Sequence, residues 1–155
     1  MTCAGNKKRR AVYRDQYRYV LLQIHSNKLD PQTVTKKLGI EPTWSTRRGT
    51  YTTPGGRTFK HAQGSWSIAT QLRRNASLEK HVRNVWDRIA PRKTALKLIL
   101  KDARGTLTIA VRPHPEVVNS MYMFPSEVIA KFVGLGIDIV FSIIDPHNWE
   151  AMCRE

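Results

Sequence analysis

Basic and aromatic residues alternate through residues 41–64, a segment rich in Thr, Gly and Pro. The side chains there that suit a charged ligand best are Trp44, Arg47, Arg48, Arg57 and Lys60. Lysine and arginine neutralise phosphates, and an exposed aromatic ring stacks on an unpaired base. Arg47 and Arg48 are equally suited to pairing with the carboxylates of an acidic protein. The segment therefore predicts a polyanion-binding surface, with nucleic acid or an acidic protein as partner.

A second group of cations lies in a polar arm, residues 1–16. Lys7, Lys8, Arg9 and Arg10 follow one another directly. Runs of like charge near a terminus are usually flexible. The pattern fits a solvated tail or a nucleic-acid-binding arm, and in the second case we expect these residues to add nonspecific affinity.

Positive charge is in excess over the whole chain, with 26 Lys and Arg against 12 Asp and Glu and a formal net charge of +14. Residues 1–114 contain 24 of the basic residues and 6 of the acidic ones, whereas residues 115–155 contain 2 and 6. Such an asymmetry indicates a polyanionic partner, although a high net charge also serves simply to keep a protein in solution.

Patterns that carry catalysis or hold a cofactor are missing from the sequence. It contains no phosphate-binding loop, no dinucleotide fingerprint and no serine in a nucleophile elbow. The histidines lack the spacing of metal ligands: they are His25, His61, His81, His114 and His147. The few carboxylates fall mostly where helix caps, turns and helix surfaces are expected. We therefore predict a non-enzymatic protein with no metal and no cofactor.

The apolar segments are too short for a membrane span, since none reaches 18 residues. The polar N-terminal segment lacks the apolar core of a secretory signal. Cys3 and Cys153 lie at opposite ends and exclude a disulfide framework. These features predict a cytoplasmic protein without a membrane span, and they leave its oligomeric state open.

The segments that position these residues alternate between strand and helix patterns. Strands are predicted over residues 17–26, 65–71 and 139–144, helices over 30–38, 77–90 and 126–135, and a hairpin over 95–102 and 106–112. This order predicts an α+β fold: a mainly antiparallel sheet of about five strands with helices on one face, ferredoxin-like or a duplicated variant. The first and last strands, apolar on both faces, are expected to be central.

One domain is predicted over residues 17–145, with the basic loop at 41–64 inside it and a short tail at 146–155. Within that loop, Gly55-Gly56 is typical of a hairpin tip with arms near 50–53 and 57–61.

A second basic patch is expected on the predicted helix 77–90. Lys80, His81 and Arg83 lie on its polar side, although a merely solvated helix face fits equally well. The sequence does not reveal whether this patch and the basic loop share one side of the molecule.

Two sequence blocks carry a family resemblance. The first runs from Leu29-Asp30-Pro31 through Leu38-Gly39-Ile40-Glu41-Pro42-Thr43 to Gly64-Ser65-Trp66-Ser67, and the second joins Phe124-Pro125-Ser126 to Leu135-Gly136-Ile137. Over residues 17–144 the chain resembles a bacterial family of small proteins, domain of unknown function 4279. The resemblance implies a small single-domain bacterial protein and provides no catalytic residues. The basic arm at 1–16 is not part of the family pattern.

Overall fold

A five-stranded sheet forms the frame of the structure, a computed structural model that describes residues 17–52, 56–73, 75–112, 124 and 126–143. The strands of this sheet are β1 (Tyr17–Ser26), β2 (Trp44–Thr46), β5 (Gly64–Ala69), β6 (Arg104–Arg112) and β7 (Ile137–Ile143). They follow the order β2-β5-β1-β6-β7, and all neighbours are antiparallel except β6 and β7. The α+β class and the mainly antiparallel sheet are confirmed. The ferredoxin-like arrangement is not, because β6 and β7 are parallel neighbours.

The helices of the described residues begin and end where the sequence supplies caps. They are α1 (Pro31–Leu38), α2 (Leu78–Ile89), α3 (Lys93–Ile99) and α4 (Ser126–Val133), with a 3-10 turn at Ala90–Arg92 between α2 and α3. Asp30 caps α1 by accepting from the Thr33 N–H, and Gly39 ends it with φ 63°. Ser77 caps α2 in the same manner. These two helix starts are therefore confirmed.

The core lies between the helices and one face of the sheet. Val20, Leu22 and Ile24 of β1 are fully buried and belong to one apolar cluster with residues of all four helices. Trp66 of β5 is also fully buried, and its Nε1 donates a hydrogen bond to Thr35 Oγ1 of α1 at 3.0 Å. The helices consequently pack on a single face, as predicted.

β1 lies in the middle of the sheet as expected, but β7 does not. Within the described residues β7 pairs with β6 alone and forms an edge of the sheet, so its predicted central position is wrong. Ile137 is buried and the ring of Phe141 packs edge-on against Phe124 at 4.8 Å, but Val140, Phe141 and Ile143 are exposed. An apolar run therefore does not by itself establish that a strand is central or that all of its side chains are buried.

The predicted hairpin over residues 95–102 and 106–112 is wrong in its first arm, which is helix α3. Leu96 is fully buried and Ile99 nearly so, whereas Leu98 is 56% exposed. Leucine at every second position suggested a strand, but Leu96 and Ile99 also satisfy a helical spacing, and Ala, Leu and Lys favour helix. The second arm is confirmed as β6.

Residues 41–64 are more ordered than a loop, because two further strands, β3 (Gly49–Thr52) and β4 (Thr58–His61), pair with each other. We call this pair the ribbon. Its arms confirm the predicted hairpin, while Gly55 of the predicted tip lies outside the described residues. The ribbon connects β2 to β5, so it extends from the β2 edge of the sheet.

The face of the sheet that points away from the helices is called the outer face here. On β1 it carries Tyr19, Leu21, Gln23 and His25, since side chains alternate along a strand and Val20, Leu22 and Ile24 point into the core. Adjacent strands contribute mostly small polar residues to it, namely Thr46, Ser65, Ser67, Thr106 and Thr108. This polar face positions the site described next.

Candidate nucleic-acid interface

The ribbon carries its aromatic residues on one side. Tyr51 and Phe59 are directly opposite each other in the register of β3 and β4, and His61 follows two positions after Phe59. Opposite residues, and residues two positions apart, share one side of a strand pair. Accordingly, the ring centroids of Tyr51 and His61 lie 5.3 Å apart. Thr50 and Lys60 pair on the other side, so the ribbon has one aromatic and one cationic side.

Three aromatic rings in this part of the chain are exposed: Trp44 by 55%, Tyr51 by 41% and Phe59 by 49%. Trp44, on β2, lies near Tyr19 of the outer face, with ring centroids 6.1 Å apart. Trp66, by contrast, is buried in the core. Trp44 is therefore the tryptophan of the predicted surface that a ligand can reach.

Arg47 has a partner within the chain. Its Nε lies 3.5 Å from Asp30 Oδ1, and both side chains are about half exposed. Hydrogen bonding by the Thr33 hydroxyl is the largest cause that lowers the pKa of Asp30 below its ordinary value, and the charge of Arg47 contributes less. An ion pair this exposed is weak, so a phosphate can compete with Asp30 for Arg47.

The other cations predicted in the segment are on the surface. Arg48, Arg57 and Lys60 are exposed, on the ribbon or directly beside it. Trp44 lies on β2, Arg47 and Arg48 between β2 and β3, and Arg57 and Lys60 just before and on β4. The remaining predicted binders lie outside the described residues: Lys7, Lys8, Arg9 and Arg10.

An open groove of about 410 Å³ separates the base of the ribbon from the outer face. Its polar lining comes from β1, β2, β4, β5 and the connection between β4 and β5, with Gln23, His25, Thr46, Lys60, His61, Gln63 and Ser65. No carboxylate is among the described residues that line it. Gln23, Thr46 and Ser65 were not predicted from the sequence as binding residues, and His25 was considered there only as a possible metal ligand. The available signal was the pair of polar residues, Gln23 and His25, at alternate positions of an otherwise apolar strand.

The predicted patch on α2 is on the other side of the sheet, because α2 packs in the core layer and the groove opens on the outer face. His81 was expected on its polar side, but it is fully buried. The Arg83 guanidinium donates to Glu79 and Glu127 at 2.9 and 3.0 Å, and the Glu79 hydrogen bond is the largest cause that raises the pKa of Arg83. The patch and the ribbon thus do not form one surface.

Further cations lie on the helices α1 and α3. Lys36, Lys37, Lys93 and Lys97 are all exposed. Because residues 93–99 form a helix and not the predicted strand, Lys93 and Lys97 are one turn apart on it. These lysines are in the helix layer, on the side of the sheet opposite the groove.

Other kinds of site have little support in the part of the chain that the structure describes. It contains no group of three or more His, Cys, Asp or Glu residues that could hold a metal ion. Within the same residues, no helix is long and apolar enough to cross a membrane.

The family of the chain follows from its sequence profile. A family described as a domain of unknown function (DUF4279) matches residues 15–146. The chain is a member of the DUF4279 family. Comparisons with curated proteins and with solved structures find no match. DUF4279 membership confirms the resemblance carried by the helix-end and strand blocks, and it assigns no role to any residue.

Proposed function

We propose that this DUF4279 chain is a non-enzymatic module that binds nucleic acid through the ribbon and the β2 edge. The observation that carries the proposal is the exposure of Trp44, Tyr51 and Phe59 next to exposed cations. These rings are 41–55% exposed, so a base can reach them, and stacking on a base is worth about 1–3 kcal/mol per base. Exposed lysine and arginine neutralise phosphates and release counterions.

An acidic protein is the alternative partner, since Arg47 and Arg48 also suit carboxylates. The exposed rings favour nucleic acid, because a stack on an aromatic ring needs a planar group in the ligand. The binding experiment described next distinguishes nucleic acid from an acidic protein as the partner.

The salt dependence of binding tests the proposal. Fluorescence anisotropy of labelled oligonucleotides is measured with nuclease-treated protein at salt concentrations between about 50 and 200 mM. If the surface makes about six phosphate contacts, affinity falls roughly a thousandfold over this range. The double variant Arg48→Ala/Lys60→Ala should reduce the slope of log K against log salt by about 1.4 for a single strand.

The matched control removes the same charge from the helix layer, in the variant Lys36→Ala/Lys97→Ala. We expect its salt slope to stay close to that of the unmodified chain. Equal loss in both variants would contradict the assignment to the ribbon. No binding to any oligonucleotide at the lower salt concentration would overturn the proposed function and leave an acidic protein as the partner to test.

A further inference from the structure

Three polar side chains form a row across the outer face at the floor of the groove. In the register of the sheet, Thr46 is opposite Ser65, and Ser65 is opposite His25. Directly opposite residues have Cβ atoms about 4.5–5.5 Å apart. Gln23 lies two positions before His25 on β1, on the same face. The row therefore offers closely spaced hydrogen-bonding groups over three adjacent strands, all of them half-buried.

These groups both donate and accept hydrogen bonds, because hydroxyl, amide and imidazole side chains have both capacities. The hydroxyls of Thr46 and Ser65 lie 2.7 Å apart and bond to each other. Such a mixed set matches the edge of a nucleobase, which also alternates donors and acceptors. The volume of about 410 Å³ is within the range of small-ligand sites.

The charge of the groove suits a phosphate. Lys60 lines it, and no carboxylate is among its described lining residues. A neighbouring groove of about 670 Å³ shares His25 but is lined by Asp102 and Asp138. In that second groove Arg104 is paired with Asp138 at 2.9 Å, so its charge is largely balanced. Of these two grooves, the one below the ribbon is therefore the one whose described lining carries an unbalanced positive charge.

His25 has no evident structural reason to be polar. Its Nδ1 is enclosed and has no hydrogen-bond partner among the described residues. An enclosed polar atom without a partner destabilises a protein. The half-buried ring also lines the groove, so a ligand there would contact the accessible part of the imidazole and not the enclosed Nδ1.

Trp44 flanks the groove on the same face. It lies two positions before Thr46 on β2, opposite Ser67, and is more than half exposed. A base in the groove thus has a stacking surface next to it for the following base. A duplex cannot use this arrangement, since its base edges are paired and its bases stack on one another.

We infer that the groove formed by Gln23, His25, Thr46, Ser65 and Lys60 binds an unpaired nucleotide, so that the module takes single strands in preference to duplexes. The inference rests on the proposed function and names its ligand class. The unpaired nucleotide comes from a single strand or is a free mononucleotide, which share a base edge and a phosphate.

The test compares a labelled single strand of about 12 nucleotides and mixed sequence with its duplex, by fluorescence anisotropy. We expect the single strand to bind at least roughly tenfold more tightly. The double variant Gln23→Ala/Thr46→Val should lose roughly tenfold or more in single-strand affinity and leave duplex affinity unchanged, since it removes groups that contact only an unpaired base.

Thr108→Val is the matched control, because Thr108 is on the same face but does not line the groove. Its single-strand affinity should stay within about twofold of the unmodified chain, as expected for a surface change away from the contact. Thermal unfolding by circular dichroism shows whether each variant is folded. If Gln23→Ala/Thr46→Val is unfolded, Thr46→Val alone is compared with Thr108→Val.

Competition by a mixture of the four mononucleotides shows whether the groove binds a free mononucleotide or a nucleotide within a single strand. Displacement of the strand by the mixture assigns the groove to a single nucleotide, and displacement by unlabelled single strand alone assigns it to the polymer. Equal affinity for single strand and duplex, unaffected by the groove variant, would overturn this inference and leave the proposed function standing. No binding to either probe would overturn the proposed function itself.

Discussion

Two glycines in this fold are required for different reasons, one local in the sequence and one not. Gly39 is required by its own backbone, which has φ 63° at the end of α1. Gly64 is required by a neighbour, because a Cβ on it would lie 2.1 Å from the carbonyl oxygen of Leu29. The helix pattern alone predicts the first need, whereas the second becomes visible only when β5 lies beside residue 29.

Substituting each glycine with alanine and with asparagine distinguishes the requirement for a left-handed backbone from the requirement for space. Gly39→Ala should lower the free energy of unfolding by about 1–2 kcal/mol, and Gly39→Asn by less, since asparagine tolerates the left-handed region. Gly64→Ala should cost about 1–3 kcal/mol, and Gly64→Asn no less than that. Urea unfolding measures all four variants. Rescue by asparagine at position 64 would refute the steric explanation.

His81 makes stability depend on pH. It is fully buried, its Nδ1 lies 2.9 Å from Thr70 Oγ1, and its Nε2 has no partner among the described residues. Burial, and then the charge of Arg18, lower the pKa of His81 below its ordinary value of 6.5. The folded state therefore binds a proton on His81 less readily than the unfolded chain does. The neutral imidazole thus stabilises the folded state in full above pH 6.5, and this stabilisation is lost as the pH falls below that value.

The free energy of unfolding should consequently decrease between about pH 7.5 and pH 5. His81→Gln cannot titrate, so its decrease over the same interval should be smaller. Urea titrations of both proteins at the two pH values give the comparison. Identical decreases would show that other groups cause the pH dependence.

At the scale of elements, α3 shows how one spacing can fit two structures. Leu96, Leu98 and Leu100 occupy alternate positions, as the buried face of a strand requires. However, Leu96 is buried and Leu98 is exposed. The preceding Pro91 and the Leu96–Ile99 spacing fit a helix equally well. Contact between α1 and α3, which joins Val34 and Ile99 in one cluster, selects the helix.

Truncating the two leucines separately tests this element. Leu96→Ala should cost about 2–5 kcal/mol, because it leaves a cavity in the core. Leu98→Ala should change stability by less than about 0.5 kcal/mol, because the side chain is on the surface. The denaturant midpoints of the two variants give the difference. Similar losses at both positions would restore the strand assignment.

At the scale of the whole molecule, positive charge covers both sides of the sheet. Arg48 and Lys60 lie at the ribbon, while Lys36 and Lys97 lie in the helix layer. Among the described residues, positive charge is thus spread over both sides of the sheet and does not form one local patch, so like charges repel one another across the surface. The binding proposed for the ribbon would therefore be superimposed on a general attraction for polyanions.

Added salt should therefore raise the melting temperature of the protein without ligand. Screening shortens the range of repulsion, with a Debye length of about 8 Å at 0.15 M. Lys36→Glu/Lys97→Glu, which lowers the net charge from +14 to +10, should melt higher at low salt and respond less to added salt. Scanning calorimetry at low and moderate NaCl measures both effects. A melting temperature that falls with salt would show that ion pairs outweigh repulsion.

Features set by neighbours along the chain could be predicted from sequence. The start and end of α1 follow from Asp30, Pro31 and Gly39, since a cap satisfies backbone groups only a few residues away. The charge balance, the two arms of the ribbon and the family blocks are equally local. The groove is different, because Gln23, Thr46 and Lys60 come from three separate strands and meet only through the pairing of β1, β5 and β2 and the position of the ribbon. The edge position of β7 and the burial of His81 belong to the same class: residues far apart in the chain determine them, and no local pattern carries that information.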